Sequence, residues 1–426
     1  MKEITVTEPA FVTRFSCSGS ACRDHCCKGW KITLDKTTVK KYLTSKDVTI
    51  REIAKNSIIL LKKDPNNWGE IKLPSGTGIC PYLDDDRLCK VQKTLGAKAL
   101  SYTCTTFPRV FHTYKNEVRH SLSLACPEVT AHILNDADAV TLNEKAIIQQ
   151  KYNTAPLFSP QQKLLNLFCL SLINHAASNP DAALYALIKF VMYVQKFPRI
   201  DDAALGEIEQ VYGTLVSQLQ SGSLTQELAN ITPDKKFKTS LVLLMQDYFR
   251  ALPPSRGSYV LDHYIQCLLR VLTAEEGVSM EQKVSDIESS LARCLQADEQ
   301  QKNWAFRNLI LYKIWENNFP NQPNVDPLRA LYIIVAEYAF IKLLTAASVY
   351  ERGRLEWDDV TNIVYSFHSR SQHNSEVAAN FHRHIETVRT GDDLSMIHLL
   401  TWFCSGWAFA HPVYPIWLIL FCSLSR

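Results

Sequence analysis

Eight cysteines crowd the first 126 residues of this 426-residue chain: Cys17, Cys22, Cys26, Cys27, Cys80, Cys89, Cys104 and Cys126. The run from Cys17 to Cys27 alone holds four thiols. The remaining cysteines, Cys169, Cys267, Cys294, Cys404 and Cys422, are scattered and read as small buried hydrophobes. The chain opens Met1-Lys2-Glu3-Ile4-Thr5, without an apolar signal segment, so a cytoplasmic location is expected. Thiols there stay reduced, and a dense set of them points to metal binding rather than disulfides.

The spacing leaves the metal open. Zinc sites use paired C-x2–4-C elements, and Cys17-x4-Cys22-x3-Cys26 supplies one pair at the loose end of that range. Iron–sulfur clusters also combine close cysteines with a distant one. Cys26 and Cys27 are adjacent, and in extended backbone their side chains point to opposite faces, so they are expected to serve different roles. Eight thiols could hold a 4Fe-4S cluster and a zinc, two centres of one kind, or one centre with spare cysteines; the expectation is a 4Fe-4S cluster, with zinc as the alternative, held by Cys17, Cys22 and one of Cys26 and Cys27 with a distant ligand from Cys80, Cys89, Cys104 or Cys126.

The elements that must position these thiols follow from the pattern. Residues 3–16 read as a short strand leading into the cysteine loop. Residues 34–63 read as a helix broken by Asp64-Pro65-Asn66-Asn67. Cys80 and Cys89 bracket a turn-rich loop whose Asp84-Asp85-Asp86 run reads as a solvated hairpin tip. Val110–Tyr114 and Val118–Leu124 flank Lys115-Asn116-Glu117 as a β-hairpin that delivers Cys126. Beyond residue 130 the periodicity is helical. Ser159-Pro160-Gln161-Gln162 is a capping box, Asn179-Pro180-Asp181 opens another helix, and further apolar stripes fall at about 202–220, 234–252, 257–274, 279–296, 302–318, 326–350 and 374–390. The expected fold is mainly α: a cysteine-rich metal-binding domain over 1–130 with a small β-hairpin, a helical domain over 131–400, and an apolar tail over 401–426. Pro412 and Pro415 interrupt that tail, so it is expected to pack or form an interface rather than cross a membrane.

Composition excludes some classes. Hydrophobic residues at 46% and charged residues at 21% suit a globular protein. A net charge of +3 does not mark a nucleic-acid binder. The charge is uneven, with 21 Lys and Arg against 13 Asp and Glu in residues 1–130. That surplus would suit an anionic thiolate cluster, or would simply form a solvated basic face. Gly76-Thr77-Gly78 lacks the preceding strand and third glycine of a nucleotide loop, and reads as a turn.

The pattern Cys17…Cys22…Cys26-Cys27, then Cys80-Pro81-Tyr82-Leu83, Cys89 and Cys104-Thr105-Thr106-Phe107-Pro108-Arg109, resembles the zinc/iron-chelating CxxCxxCC-type family. Cys126-Pro127-Glu128 and the stretch from Trp304-Ala305-Phe306-Arg307-Asn308 to Phe319-Pro320 resemble the flagellin lysine N-methylase (FliB) family more closely, over most of the chain. That resemblance implies methylation of surface lysines on flagellin with S-adenosylmethionine as donor. A lysine amine must lose its proton before it attacks a methyl group, which costs about 4.6 kcal/mol at pH 7. Near the cysteines, Asp24, His25, Tyr102 and Glu128 could receive that proton; Asp24 and His25 could equally orient thiols, and Glu128 cap a helix. No doubly wound sheet with a Gly-rich first turn is legible, so the donor must bind in another way. The radical-enzyme signature C-x3-C-x2-C is absent, which favours polar transfer. The alternative class is a metal-stabilised flagellin-binding module without catalysis. Metal storage is a third, which leaves the long helical domain without a task.

Overall fold

The structure, a computed structural model, describes residues 2–401 except 150–153, 176–178, 275–276, 299–301, 373–374 and 390–391. The expected tail over 401–426 lies, apart from Thr401, outside the described residues. The described chain is mainly α-helical with two small sheets.

The organising element of the helical body is the helix Pro327–Arg352, 26 residues long. Asp326 caps it by accepting from the Arg329 N–H at 3.0 Å, Pro327 takes the first turn, and Gly353 ends it at φ 72°. Apart from Glu337 and Lys342 its central turns are apolar on every face, and they are buried on every face. Its composition would suffice to span a bilayer, yet its apolar window is wholly enclosed by protein. The helices Pro180–Val194, Ser258–Thr273, Met280–Gln296 and Trp357–Ser371 pack against it. The capping box forms as expected: Ser159 N–H donates to Gln162 Oε1 at 3.0 Å, and Gln162 N–H to Ser159 Oγ at 3.1 Å. Asn179 caps the helix Pro180–Val194 through the Ala182 N–H at 3.1 Å.

Seven strands make the two sheets. They are β1 (Lys2–Pro9), β2 (Ile32–Leu34), β3 (Ile58–Leu60), β4 (Gly69–Ile71), β5 (Arg109–Thr113), β6 (Glu117–Leu122) and β7 (Leu142–Gln149). The larger sheet has the order β5-β6-β1-β7, with β1 parallel to β6 and antiparallel to β7. The expected hairpin is β5–β6, in register Arg109 with Leu122, its turn closed by Tyr114 N–H to the Glu117 carbonyl at 2.8 Å. The smaller sheet, β2-β4-β3, is antiparallel.

Three departures from the pattern have physical causes. The stretch 34–63 is two helices, Lys36–Leu43 and Val48–Ser57, because Asp47 caps a second start by accepting from Ile50 N–H at 2.8 Å. Ile58, Ile59 and Leu60 then leave the helix and pair with β4, as β-branched residues favour. The strand β7 has a polar, unalternating sequence and exists through its pairing along all of β1. The helix Trp357–Ser371 carries many β-branched and aromatic residues and owes its stability to near-complete burial.

Two apolar cores result. One joins the helical body to Phe11, Leu122, Leu124 and the helix Pro127–Asn135. The other, built from Ile32, Leu34, Tyr42, Ile50, Cys80 and Tyr82 among others, lies within residues 32–99. Between sheet and helical body sits the buried Arg119 guanidinium, 3.7 Å over the Trp315 ring and 5.3 Å from that of Phe158, donating to Asn166 Oδ1 at 2.6 Å and to Asn318.

His368 generates a pH dependence. Its Nδ1 lies 2.8 Å from the Val364 carbonyl, and burial, helped by the Lys313 charge, pushes the imidazole down to about 4. An unfolded histidine takes its proton near 6.5. The unfolded chain therefore binds the proton first, and this contribution is complete above that pH and lost as pH falls towards 4. The midpoint of urea unfolding is expected to drop between pH 7.5 and pH 5, with a shallower drop for His368→Gln.

Candidate functional site

Local pairing brings the thiols together. The segment Cys27–Gly29 runs beside Gly78–Cys80: Gly29 N–H donates to the Gly78 carbonyl at 2.9 Å and Cys80 N–H to the Cys27 carbonyl at 2.8 Å. A hairpin then returns the chain, with Leu83 bridged to Cys89 and Lys90 N–H bonded to the Tyr82 carbonyl at 2.7 Å. Its tip is the acidic run, where Lys93 pairs with Asp84 at 2.6 Å and Asp86 at 3.1 Å. Cys104 arrives on the short helix Tyr102–Thr106, which packs on β2.

The result is a group of five. Cys26, Cys27, Cys80, Cys89 and Cys104 lie within reach of one another's charge. The Cys27 thiol donates to the Cys26 sulfur, which holds Cys26 below and Cys27 above the usual thiol range. Adjacent side chains meet in this way because residues 26–27 sit in a bend rather than in extended strand. Burial pushes the Cys80 thiol up to about 12, opposed by the Tyr82 backbone N–H directed at its sulfur. Burial also raises Cys89, opposed by the N–H groups of Gln92 and Val91. Among the described residues every cysteine is a free thiol, and no three His, Cys, Asp or Glu donors close to coordination distance.

The other three cysteines have different surroundings. Cys17 is exposed. Cys22 and Cys126 are both buried; the charges of Arg256 and Glu128 act on Cys22, and those of Arg256 and Cys22 act on Cys126. Burial pushes Cys126 up to about 11, opposed by the N–H groups of Val129 and Glu128. Cys80-Pro81-Tyr82 and Cys126-Pro127-Glu128 thus share one device, in which the residue after the proline turns its N–H onto the sulfur. The repeated Cys-Pro pair was the signal for it in the sequence.

The candidate proton acceptors separate. Asp24 is buried, 2.6 Å from Lys28 Nζ and 3.5 Å from Arg256 Nε. His25 is half-buried, and burial with the charges of Lys28 and Arg87 holds its imidazole below the ordinary value. Tyr102 is 75% exposed. Glu128 lies in the first turn of the helix Pro127–Asn135, where a carboxylate is favoured.

Arg256, which no sequence pattern marked, ties this region to the helical body. It donates to the Ala125 carbonyl at 2.6 Å and the Asp24 carbonyl at 2.7 Å, and lies 5.6 Å from the Phe107 ring. Gly29 permits the approach: at φ +69°, a Cβ there would sit 2.2 Å from the Arg256 nitrogen. Arg23 adds a surface contact to Asp358 at 3.0 Å, and Arg87 donates to the Cys22 carbonyl at 2.5 Å.

The class of this protein follows from its relatives in sequence. Residues 166–399 match the family described as the FliB lysine N-methylase C-terminal domain. Lysine-N-methylases of Salmonella typhimurium and Salmonella choleraesuis are each 85% identical over 401 residues, covering 94% of this chain and 100% of theirs. The flagellar biosynthetic protein FliV of Salmonella muenchen is 92% identical over 172 residues, 40% of this chain and 99% of its own. No solved structure matches. The chain belongs to the FliB lysine N-methylase family.

Replacing Gly29→Ala or Arg256→Ala is expected to loosen the docked loop. Removing a partner of a buried ion pair costs about 3 kcal/mol or more. Limited proteolysis should cut faster within residues 17–30 in both variants, whereas Gly76→Ala, where a side chain meets open space, should match the parent.

Proposed function

We propose that this chain transfers methyl groups from S-adenosylmethionine to lysine side chains of flagellin, and that its gathered thiols hold a 4Fe-4S cluster, with zinc as the alternative metal. The observation that carries the reading is identity along the full length of the two lysine-N-methylases. The flagellar name of the third relative supports flagellin as the acceptor. Free thiols in number fit the reducing cytoplasm, where flagellin is met before export.

The donor set fits a metal in its chemistry. Cys26, Cys80, Cys89 and Cys104 would repel one another as thiolates, and a bound cation removes that repulsion. Backbone N–H groups already face Cys80 and Cys89, which favours the deprotonated form a metal requires. When bound, such a cluster supplies an iron able to chelate the amino and carboxylate groups of the donor. The residues of the chain do the rest. The four-stranded mixed sheet is not a dinucleotide-type sheet, so donor recognition falls to the loops and to the junction with the helical body. A lysine ε-amine on its four-carbon stem reaches a recessed site without unfolding its carrier. Asp24, already paired with Lys28 and Arg256, serves better to hold the loop than to take a proton.

Mass spectrometry of flagellin after incubation with donor and anaerobically purified protein tests the reaction. Lysine peptides should gain one methyl mass or multiples of it; flagellin bound but unchanged in mass would favour the non-catalytic module. Cys80→Ala and Cys89→Ala should lose most of the metal. Cys17→Ala, at an exposed thiol, and Cys267→Ala, in the helical core, should keep it.

A further inference from the structure

The basic surplus of the N-terminal region has a definite place in the fold. The helix Lys36–Leu43 turns Val39 and Tyr42 into the core that also holds Cys80 and Tyr82, and turns Lys36, Lys40 and Lys41 outwards. Neighbouring loops extend that outer face. Lys36 N–H donates to the Pro65 carbonyl at 2.8 Å, which sets the turn after Lys62 and Lys63 beside the start of the helix. Lys41 Nζ donates to the Lys98 carbonyl at 3.3 Å, which sets Lys98 beside its end. All six lysines are exposed. The nearby carboxylates are committed to the backbone. Asp35 accepts from Thr38 N–H at 2.9 Å, and Asp64 from the N–H groups of Asn66 and Asn67 at 2.8 and 3.0 Å. Lysines around the face do find acids: Lys31 pairs with Glu70 at 3.0 Å, Lys55 with Glu52 at 2.8 Å and Lys93 with Asp84 at 2.6 Å. Among the described residues none of the six is ion-paired. Like charges gathered without counter-charges repel one another, and a negatively charged surface laid against them relieves that repulsion. The face is all lysine. Lysines are mobile point charges, whereas phosphate recognition favours the paired donors of arginine. Trp68 beside it is half-buried, with Lys36 Nζ 4.6 Å from its ring, and is not an open platform for stacking a base.

We propose that this lysine face is the docking surface for an acidic region of the protein substrate, and draws that substrate to the domain that carries the gathered thiols. The inference deepens the reading of the chain as a methylase of flagellin lysines and rests on flagellin being the substrate. It divides the substrate's surface into two parts. The acceptor lysine goes to the reacting site, and carboxylates elsewhere on the same protein engage the face. Attraction of this kind acts on association more than on the chemical step.

The test compares the parent full-length protein with one variant carrying Lys36→Gln, Lys40→Gln, Lys41→Gln and Lys98→Gln. Glutamine removes the charge without placing a carboxylate in the last turn of the helix, where it would be unfavourable. Binding of flagellin and methyl transfer to it are measured across a salt series, together with the thermal midpoint. At low salt the variant should bind flagellin roughly tenfold more weakly and show a KM raised by a similar factor at unchanged kcat. At 1 M salt, where charges are screened beyond about 3 Å, parent and variant should coincide. A short lysine peptide without acidic residues should be methylated equally by both. Equal binding of flagellin at low salt overturns the inference. A loss that persists at 1 M salt, or a lowered thermal midpoint, makes the effect structural and also overturns it. Loss of binding to duplex DNA or to anionic phospholipid vesicles, with flagellin binding kept, assigns the face to another partner and overturns it too. Flagellin that the parent binds but does not methylate, with binding lost in the variant, overturns the reaction and supports the docking face. A parent that neither binds nor methylates flagellin overturns both.

Discussion

The buried guanidinium of Arg256 is the constraint on which the rest of the site depends. It reaches from the start of the helix Ser258–Thr273 into the cysteine-rich region and binds two backbone carbonyls, those of Asp24 and Ala125, which are far apart in sequence. Both are loop carbonyls, and a buried carbonyl without a partner is costly. Planar, forked donors suit this task better than a lysine would. Glycines on either side make the approach possible. Gly29 lets the loop backbone touch Arg256, and Gly257, at φ +78°, would place a Cβ 3.2 Å from the Ser366 backbone of the helix Trp357–Ser371. Ser369 on that helix donates to the same Ala125 carbonyl at 3.2 Å. One arginine thus sets the position of Cys22 and Cys126, and through Asp24–Gly29 that of Cys26 and Cys27.

The helical body accepts a cost to stay well defined. Lys313 pairs with Glu337 at 2.7 Å, Lys238 with Glu288 at 2.6 Å and Lys342 with Asp181 at 2.6 Å, all at buried or nearly buried positions. Pairs of this kind add little net stability over apolar residues of the same size, but half of one left alone is severely destabilising. Their value lies in register: each cation on one helix has its anion on another, so a helix shifted by one turn would bury unpaired charge. Lys238 also donates to the Thr401 carbonyl at 2.9 Å, which ties the end of the helix Ile397–Leu400 to the same buried pair.

The thiol region shows a balance between burial and reactivity. Burial raises the thiols of Cys80 and Cys89, whereas a metal ligand must be deprotonated. Directed backbone N–H groups oppose that rise without adding a side-chain charge. The Cys-Pro-x turns achieve this cheaply, since proline presets the backbone before the donating residue and has no N–H of its own to satisfy.

The local features of this protein were legible in its sequence because they are governed by neighbours in the chain. The capping box at Ser159 and Gln162, the Asn179 cap, the β5–β6 turn and the apolar stripes of the long helices follow from interactions a few residues apart. The cysteine count by itself marked the region that matters. What periodicity missed was decided by distant partners: Ile58–Leu60 as a strand on β4, β7 along β1, and the helix Trp357–Ser371 against its surroundings. The same holds within the site. Proximity in sequence suggests Cys17 and Cys22 as companions of Cys26, and the folded chain also brings the distant Cys80, Cys89 and Cys104 within reach of its charge. Sequence alone determined that thiols and helices would be present and, at Ser159 and Asn179, where two of the helices would begin. Only tertiary structure decided which thiols meet and which arginine holds them, because those contacts depend on closing long loops, and loop closure leaves no mark on local residue pattern.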